Sequence, residues 1–434
     1  MEEKKSGFMN FIEEKVSPLA AKVAGEKHLM AIRDGLAQII PLVIVGSVFI
    51  LLQALPIPGY DKFMKGIFGA SYIIKLGYAI NGTFSLIALV SVFTIAYNLA
   101  RNYNQNGMSA GLLSLAAFVV LIPLTKDGAV PLNLLGSQGL FVAIIVSLIT
   151  AHIYRFMITH DLYIKLPDAV PPNVTQSFVA LFPGFAVVMF FVIIRWLVEW
   201  AGWGSVFSIV TKVIGGPLQA VGTGFWGGFI AVLVIHLFWI FGIHGANVVG
   251  SVMAPIWLAA ADQNRLAFQA GKPIPNIIAQ PFFDSMLWLG GSGILLGLAI
   301  LVTFFAKSTQ FRELGKVGFV PTIFTINEPF MFGIPVVLNP SILIPYLLAP
   351  LVNYNIVYWT TYFGIMPRVT GVLLPWTMPP FINGYLATNG SWMAVLVQVV
   401  CLLVSMAIYY PFFKIMDNHN LKQEQEQALA EKAS

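Results

Sequence analysis

Ten apolar segments lie along this sequence: nine have roughly 20 residues, and the seventh, Val248–Ala261, is shorter and could be re-entrant. A helix of about 20 apolar residues is long enough to cross the hydrocarbon core of a bilayer. The pattern therefore predicts an all-α membrane protein with about ten transmembrane helices. The predicted spans are Leu36–Leu55, Leu76–Ala100, Ser109–Thr125, Gly139–Ile158, Phe178–Trp200, Gly224–Ile243, Val248–Ala261, Met286–Ala306, Ser341–Phe363 and Trp392–Phe413.

Composition supports this class. Charged residues make up 10% of the 434 residues and hydrophobic residues 58%, whereas a soluble domain carries roughly 25% charged residues. The chain is therefore expected to be a polytopic protein whose surroundings are the lipid bilayer. The net charge of +5 does not indicate nucleic-acid binding, because the basic residues are scattered between apolar segments.

Several kinds of chemistry are excluded by what the sequence lacks. The single cysteine, Cys401, excludes internal disulfides and cysteine-based metal clusters. A metal site built from carboxylates would need several of them clustered, which the spacing does not provide. The sequence has no glycine loop ending in Lys-Ser or Lys-Thr, so no ATPase is expected on this chain. We therefore expect no metal and no cofactor.

The basic residues also predict orientation. Of the 24 Lys and Arg residues, fifteen fall on the side of the N-terminus, eight on the opposite side, and Arg195 lies within a span. Since cytoplasmic loops carry the excess of Lys and Arg, both termini are expected to be cytoplasmic. Residues 1–34 are expected to form a cytoplasmic N-terminal segment without a cleavable signal peptide. Residues 417–434 are expected to form a cytoplasmic tail, either helical or disordered.

The tryptophans divide the chain into two halves. All ten lie at or after Trp196. Tryptophan usually anchors a span at the membrane interface, but a belt of anchors would mark both halves equally. We therefore expect residues 35–200 to form scaffold and oligomer-contact helices, and residues 201–416 to form the transport domain.

Glu328 is the residue of greatest functional interest. It lies in an apolar segment that is interrupted by Pro329 and Pro335. An ionisable group at membrane depth costs roughly 3 kcal/mol on insertion scales, and irregular backbone there is tolerated only inside protein or beside water. Glu328 is therefore expected in a polar substrate site. The structural alternative, a carboxylate that only holds the broken segment together, is less favoured because a neutral residue would serve.

Three other stretches are candidates for the same site. His244 is flanked by Gly242 and Gly245, which allow a helix break, whereas His236, His152 and His160 lack such a setting and are expected to be structural or interfacial. Asp284, at the start of a span, is expected either to cap the helix or to contact substrate. Trp376 follows a proline in another broken stretch and is expected either to stack on a ligand or to anchor the interface.

A sugar fits this combination of side chains. Carboxylate, imidazole and carboxamide groups bind hydroxyls, and indole faces cover the C–H faces of pyranose rings. Glu328 is expected to accept a hydrogen bond from a sugar hydroxyl and to orient it, or to act as a general base. His244 is expected to bind the same region, and Asn327, Asn247 and Asp284 to bind other hydroxyls or acetamido groups.

The Asn327–Pro335 run, the Gly242–Gly245 run and the layout of spans resemble the IIC permeases of the bacterial sugar phosphotransferase system, within the lactose/cellobiose/chitobiose branch. The resemblance covers nearly the whole chain. It implies a homodimer with its interface on the first five helices, and re-entrant hairpins that hold the sugar in the C-terminal half. It also implies that Glu328 and His244 lie near the hydroxyl to be phosphorylated, with Trp239 and Trp376 near the sugar rings.

The resemblance further implies a phosphocysteine donor on a IIB protein, which is itself charged by IIA. Cys401 lies within a predicted span, so separate IIA and IIB proteins are expected. The expected function is translocation of a disaccharide, N,N'-diacetylchitobiose or cellobiose, for phosphorylation at the cytoplasmic face of a bacterial cell membrane. The alternative is a proton-coupled disaccharide symporter. An intramembrane hydrolase is disfavoured because no nucleophile and base are paired.

Overall fold

The computed structural model describes residues 22, 25–167, 170, 175, 178–334 and 340–433. Most of the predicted N-terminal segment, residues 1–21, and Pro335 lie outside this part of the chain. The described residues form helices and no strand. The α-helices are α1 (Lys27–Gln53), α2 (Tyr60–Phe68), α3 (Tyr72–Asn81), α4 (Ile87–Asn102), α5 (Gly107–Leu121), α6 (Leu132–Leu135), α7 (Leu140–Thr159), α8 (Leu181–Trp200), α9 (Val206–Val210), α10 (Gly216–Gly222), α11 (Phe225–Ile240), α12 (Gly245–Gln269), α13 (Leu296–Phe305), α14 (Thr309–Ile323), α15 (Glu328–Gly333), α16 (Pro340–Tyr362), α17 (Ile382–Ala387) and α18 (Trp392–Ala433).

Short helices of other types join some of these elements. Two are π-helices, at Thr211–Gly215 and Phe282–Leu287. Three are 3₁₀-helices, at Phe84–Leu86, Ser137–Gly139 and Ser292–Ile294.

The membrane spans agree with the sequence pattern. Within the described residues, six helices are long and apolar enough to cross a membrane, and two bent helix pairs raise that number to eight. The bent pairs are Val206–Gly222 with Phe225–Ile240, at 71°, and Phe282–Ile294 with Leu296–Phe305, at 54°. Both follow residue 200, where broken or re-entrant segments were predicted. The prediction of an all-helical membrane protein is confirmed.

The weakest predicted span was the seventh, Val248–Ala261. It is part of α12, a continuous helix of 25 residues with many buried side chains. Hydropathy made the segment look short because Asp262, Asn264 and Arg265 follow it directly. All three are buried, so the helix continues inside the protein where the apolar pattern ends.

The first half of the chain packs around α4. Helices α1, α5 and α7 contact α4, and α8 contacts α5 and α7. Gly35 allows α1 to approach closely, because a Cβ there would lie 2.8 Å from the Ile95 Cα. The Thr94 hydroxyl donates to the Gly35 carbonyl at 2.9 Å across the same contact. Helix α1 begins at Lys27, before the predicted domain boundary at residue 35.

The second half is built on α11, α13, α16 and α18. Helix α11 packs on α12 and α16, and α13 packs on α14 and α18. Helix α12 also contacts α1, so it lies between the two halves of the chain. Its position brings residues of α1 next to the broken segments of the second half.

The break before α13 is held by buried hydrogen bonds. Gly293 has φ +79°, a conformation that glycine adopts without steric cost. The His236 Nε2 accepts from the Gly293 N–H at 2.9 Å, while the His236 Nδ1 lies 2.7 Å from the Val232 carbonyl. The Tyr409 hydroxyl donates to the Gly293 carbonyl at 2.7 Å. These contacts give His236 the structural role that the sequence predicted.

The final helix, α18, runs from the last predicted span through Ala433, so the tail is helical. The Asp417 carboxylate, which is buried, accepts from the Lys307 N–H, the Ser308 N–H and the Ser308 hydroxyl at 2.7–2.9 Å. About two turns further on, Glu424 accepts from the Thr309 and Gln310 N–H groups at 3.0 Å. The tail therefore caps the start of α14, the helix that leads to Glu328.

We expect Asp417→Ala to lower the free energy of unfolding by about 3 kcal/mol, since buried donors left without an acceptor cost about 1–3 kcal/mol each. Thermal unfolding in detergent, followed by intrinsic fluorescence, measures the change. Glu424→Ala is the matched control, because its partners are exposed and water replaces the lost acceptor. Equal melting temperatures for the two variants would contradict the role of the Asp417 carboxylate as a buried cap of α14.

Candidate functional site

His244 lies in the break between α11 and α12. Gly242 has φ +72°, a left-handed conformation that glycine adopts without steric cost, and a Cβ at Gly245 would collide with the Ile235 carbonyl oxygen. His244 is the N-cap of α12, and its Nδ1 accepts from the Asn247 N–H at 3.3 Å. With Nδ1 acting as the acceptor, a neutral ring carries its proton on Nε2 and offers that N–H to a ligand.

Trp239 supports the His244 ring. The two ring centroids lie 4.5 Å apart, and Trp239 is 7% exposed. The Trp239 Nε1 is buried and has no hydrogen-bond partner within the described part of the chain. A buried indole N–H usually finds a partner, so this one is available to an acceptor that enters from the site.

Glu328 is the first residue of α15 and is exposed. The short helix is anchored by Phe330 and Met331, which are buried at 0% and 1% exposure. The Glu328 carboxylate and the Arg33 guanidinium both interact electrostatically with the His244 ring. Carboxylate, imidazole and guanidinium groups from three separate regions of the sequence therefore influence one another electrostatically.

Asn327 differs from the other predicted substrate ligands. It is 4% exposed, and its Nδ2 donates to the Ser292 carbonyl at 2.6 Å. The bond joins the start of α15 to the broken span before α13. Two residues earlier, the Thr325 hydroxyl donates to the Trp376 carbonyl at 2.7 Å. The segment that carries Glu328 is thus held from two sides by neighbouring broken segments.

A cavity of about 270 Å³ lies between α1 and the first half of α12. Its lining does not include the predicted site residues His244, Trp239, Asn327 and Glu328. Three of the predicted site residues, Asn247, Asp284 and Trp376, line it. The complete lining is Arg33, Leu36, Ala37, Ile39, Ile40, Val43, Ile44, Ala246, Asn247, Gly250, Ala254, Leu258, Gln280, Asp284, Leu373, Leu374 and Trp376. The cavity combines an apolar wall with a few polar groups, as small-molecule sites do.

Two polar residues of this lining were not predicted as site residues. Gln280 donates through Nε2 to the Asp284 carboxylate at 2.8 Å, and its buried Oε1 has no hydrogen-bond partner among the described residues. Gln280 begins the same broken stretch as Asp284, so its position in the sequence could have indicated that it belongs to the site. Arg33 was assigned to the cytoplasmic N-terminal segment, because nothing in its local sequence shows that α1 starts six residues earlier.

Comparison with known proteins identifies the family. The family model of the phosphotransferase system EIIC matches residues 33–350. The chain belongs to this EIIC family. It is 44% identical to the lichenan permease IIC component of Bacillus subtilis (strain 168), over 97% of this chain and 96% of the relative. It is 42% identical to the cellobiose-specific EIIC component of Geobacillus stearothermophilus, over 96% of each chain.

A solved structure agrees with the whole fold. The crystal structure of the transporter ChbC, the IIC component of the N,N'-diacetylchitobiose-specific phosphotransferase system, superposes with a TM-score of 0.93. It is 43% identical in sequence, and the match covers 96% of this chain and 99% of that one. The EIIC chain described here is therefore a membrane sugar permease of the phosphotransferase system, located in a bacterial plasma membrane and working with IIB and IIA components.

Proposed function

We propose that this EIIC permease carries a disaccharide, N,N'-diacetylchitobiose or cellobiose, across the membrane and presents it to a phosphorylated IIB protein. The observation that supports this most directly is the cavity lined by Asn247, Asp284 and Trp376. Its volume, about 270 Å³, lies just below the roughly 300–1,000 Å³ of small-ligand sites, which favours a disaccharide over a longer glycan. ChbC and the cellobiose-specific relative point to the same two sugars.

The site residues take the following roles in this proposal. Glu328 accepts the hydrogen bond of the hydroxyl to be phosphorylated, and the His244 Nε2 binds the same region. Trp376, which is 54% exposed, stacks on a sugar ring, while the Trp239 Nε1 donates to a sugar oxygen. Asn247 and Asp284 bind hydroxyl or acetamido groups at the cavity wall.

Asn327 is assigned a positioning role instead of direct contact with the sugar. Its amide nitrogen is already bonded to the Ser292 carbonyl, and its side chain is buried. It would keep the backbone before Glu328 in place when the sugar binds.

The phosphoryl group is proposed to arrive on separate IIA and IIB proteins. The only cysteine of this sequence, Cys401, is 1% exposed within α18, so it is unsuited to the role of a phosphocysteine. Both termini are proposed to be cytoplasmic, an orientation in which Arg33, His244 and the start of α12 lie towards the cytoplasmic side.

The permease is further proposed to act as a homodimer, with residues 35–200 as scaffold and residues 201–416 as the transport domain. Exposed apolar side chains of α8, including Phe182, Phe185 and Trp196, offer a surface for lipid or for the second copy.

Uptake by membrane vesicles tests the function. Vesicles that contain the permease should accumulate sugar phosphate when IIA, IIB and a phosphoryl donor are supplied inside, and none without IIB. Accumulation of unmodified sugar driven by a proton gradient, without IIB, would instead establish a symporter.

A competition binding series determines the substrate. Purified permease is titrated with radiolabelled cellobiose against unlabelled N,N'-diacetylchitobiose, cellobiose and lactose. We expect one of the first two to compete at least tenfold better than lactose. Equal competition by all three would contradict the proposed specificity.

A further inference from the structure

His28 and His152 meet at the end of the first half of the chain that faces the cytoplasm in the orientation proposed above. His28 is the second residue of α1, and His152 lies in α7, 124 residues further along the sequence. Their Nε2 atoms lie 2.6 Å apart, which is a hydrogen-bond distance, and the ring centroids lie 4.9 Å apart. The contact joins the start of α1 to α7, beside a small buried cluster of Ala31, Leu99 and Ala151.

A carboxylate fixes one proton of the His28 ring. The His28 Nδ1 lies 2.5 Å from the Glu26 carboxylate, whose other oxygen accepts from the Leu29 N–H at 2.8 Å. Because an ionised carboxylate only accepts hydrogen bonds, the His28 Nδ1 carries a proton that it donates to Glu26. When the His28 ring is neutral, its Nε2 is therefore an acceptor, and the His152 Nε2 must donate to it.

The contact between the two rings tolerates one added proton but not two. If the His28 ring takes up a proton, its Nε2 becomes the donor and the His152 Nε2 becomes the acceptor, so the hydrogen bond persists. A further proton on His152 would place two N–H groups face to face, since both nitrogens of a protonated imidazole are donors. The rings must then separate. The pair is thus closed when it carries no charge or one charge, and open when it carries two.

The charged groups around the pair oppose the second proton. Glu26 is the carboxylate in contact with the pair, and it favours the first proton. Two cations lie over the Tyr103 ring: the Lys27 Nζ is 4.6 Å from its centroid, and the Arg155 guanidinium is 3.9 Å from it. Tyr103 packs against both imidazoles, at centroid distances of 6.2 and 5.7 Å. A doubly protonated pair would therefore bring four positive charges together around a single carboxylate.

The pair is connected to the sugar cavity through α1. Arg33 lies five residues after His28, about one and a half helical turns along α1, and it lines that cavity. The Arg33 guanidinium also interacts electrostatically with the His244 ring. When the imidazoles separate, the Asn102 Nδ2 still donates to the Lys27 carbonyl, at 3.1 Å. The start of the helix that carries Arg33 is then held by fewer contacts.

We propose that His28 and His152 form a pH-sensitive latch, which fixes the start of α1, and with it Arg33 of the sugar cavity, while at most one of the two rings is protonated. The effect of this latch on sugar binding rests on the proposed transport function. The open state binds one proton more than the closed state, so opening is favoured as the pH falls. Histidine changes its charge between about pH 5 and pH 8, so the latch responds to acidification of the cytoplasm.

Histidine side-chain NMR of the full-length permease tests the latch without sugar. The detergent-solubilised protein, labelled with ¹⁵N-histidine, is titrated from about pH 8 to about pH 5. The signals of the two rings are assigned from their loss in His28→Gln and His152→Gln. We expect the wild-type pair to take up its two protons in two separate steps, as coupled groups do, and His28 to titrate in a single step in His152→Gln. The same His28 titration curve in both proteins would overturn the latch.

Binding of radiolabelled cellobiose at both ends of this pH range tests the connection to the cavity. The amide of His152→Gln can donate to a neutral imidazole or accept from a protonated one, so the latch stays closed in this variant. We expect acidification to lower the affinity of the wild type about fivefold more than that of His152→Gln, the factor for roughly one net hydrogen bond. Any effect of pH on His244 or Asp284 is common to both proteins and cancels in this comparison.

His160→Gln is the matched control. His160 is exposed after α7, where its Nδ1 contacts the nearby Phe156 carbonyl and Thr159 hydroxyl, so this variant should keep the wild-type pH dependence. Equal pH dependence of binding in the wild type and His152→Gln would overturn the connection between the latch and the sugar cavity. Absence of sugar binding at every pH would count against the proposed function, and the NMR titration would still decide the latch.

Discussion

Glu328→Gln is expected to lower IIB-dependent phosphorylation of bound sugar by roughly 10²–10⁴-fold, the range typical of a lost general base. The change keeps the shape of the side chain and one acceptor oxygen but removes the charge that takes up the hydroxyl proton. Sugar binding should fall by less than tenfold, since the cavity wall of Asn247, Asp284 and Trp376 is untouched. Phosphorylation is measured at saturating sugar with purified IIA and IIB, and binding is measured separately by equilibrium titration.

Glu313→Gln is the matched control for this change. Glu313 lies on α14, the helix that precedes the Glu328 segment, and its carboxylate pairs with Lys316 at the surface. We expect wild-type phosphorylation from it. If Glu328→Gln lowers the phosphorylation rate by less than tenfold, Glu328 acts only as a hydrogen-bond acceptor. A wild-type phosphorylation rate would show that Glu328 takes no part in the site.

Much of the fold could be predicted because membrane insertion depends on local composition. Each predicted span coincides with a helix or a bent helix pair. The distinction between His244 and His236 was also local. Glycines flank His244, which begins α12 after a break, whereas His236 lies inside α11 and is 1% exposed.

The rest of the site depends on contacts between distant parts of the chain. Arg33 reaches the cavity only because α1 packs on α12. Asn327 binds Ser292 because two broken segments meet. Arg265 follows the predicted span Val248–Ala261 and was therefore expected in a connecting loop, but it is buried against Asp262 and Phe84. Sequence spacing describes neighbours along one element, so contacts of this kind leave no periodic signal.

His236→Ala is expected to lower the free energy of unfolding by about 3–5 kcal/mol, the range for removing a buried aromatic side chain. The ring is fully enclosed by Trp288 and Tyr346, whose centroids lie 5.6 and 5.3 Å away. Its loss also leaves the buried Gly293 N–H without an acceptor, a penalty of about 1–3 kcal/mol when no water enters. Thermal unfolding in detergent, with and without sugar, measures the change.

The effect should extend to sugar phosphorylation, because the break that His236 holds supplies the Ser292 carbonyl to Asn327, the residue before Glu328. His160→Ala is the control: His160 is exposed after α7, where its Nδ1 meets only the nearby Phe156 carbonyl and Thr159 hydroxyl. A His236→Ala protein that melts like the control but phosphorylates poorly would place His236 in the reaction. A His236→Ala protein that melts at a lower temperature than the control, but phosphorylates sugar normally below that temperature, would show that His236 only stabilises the break before α13.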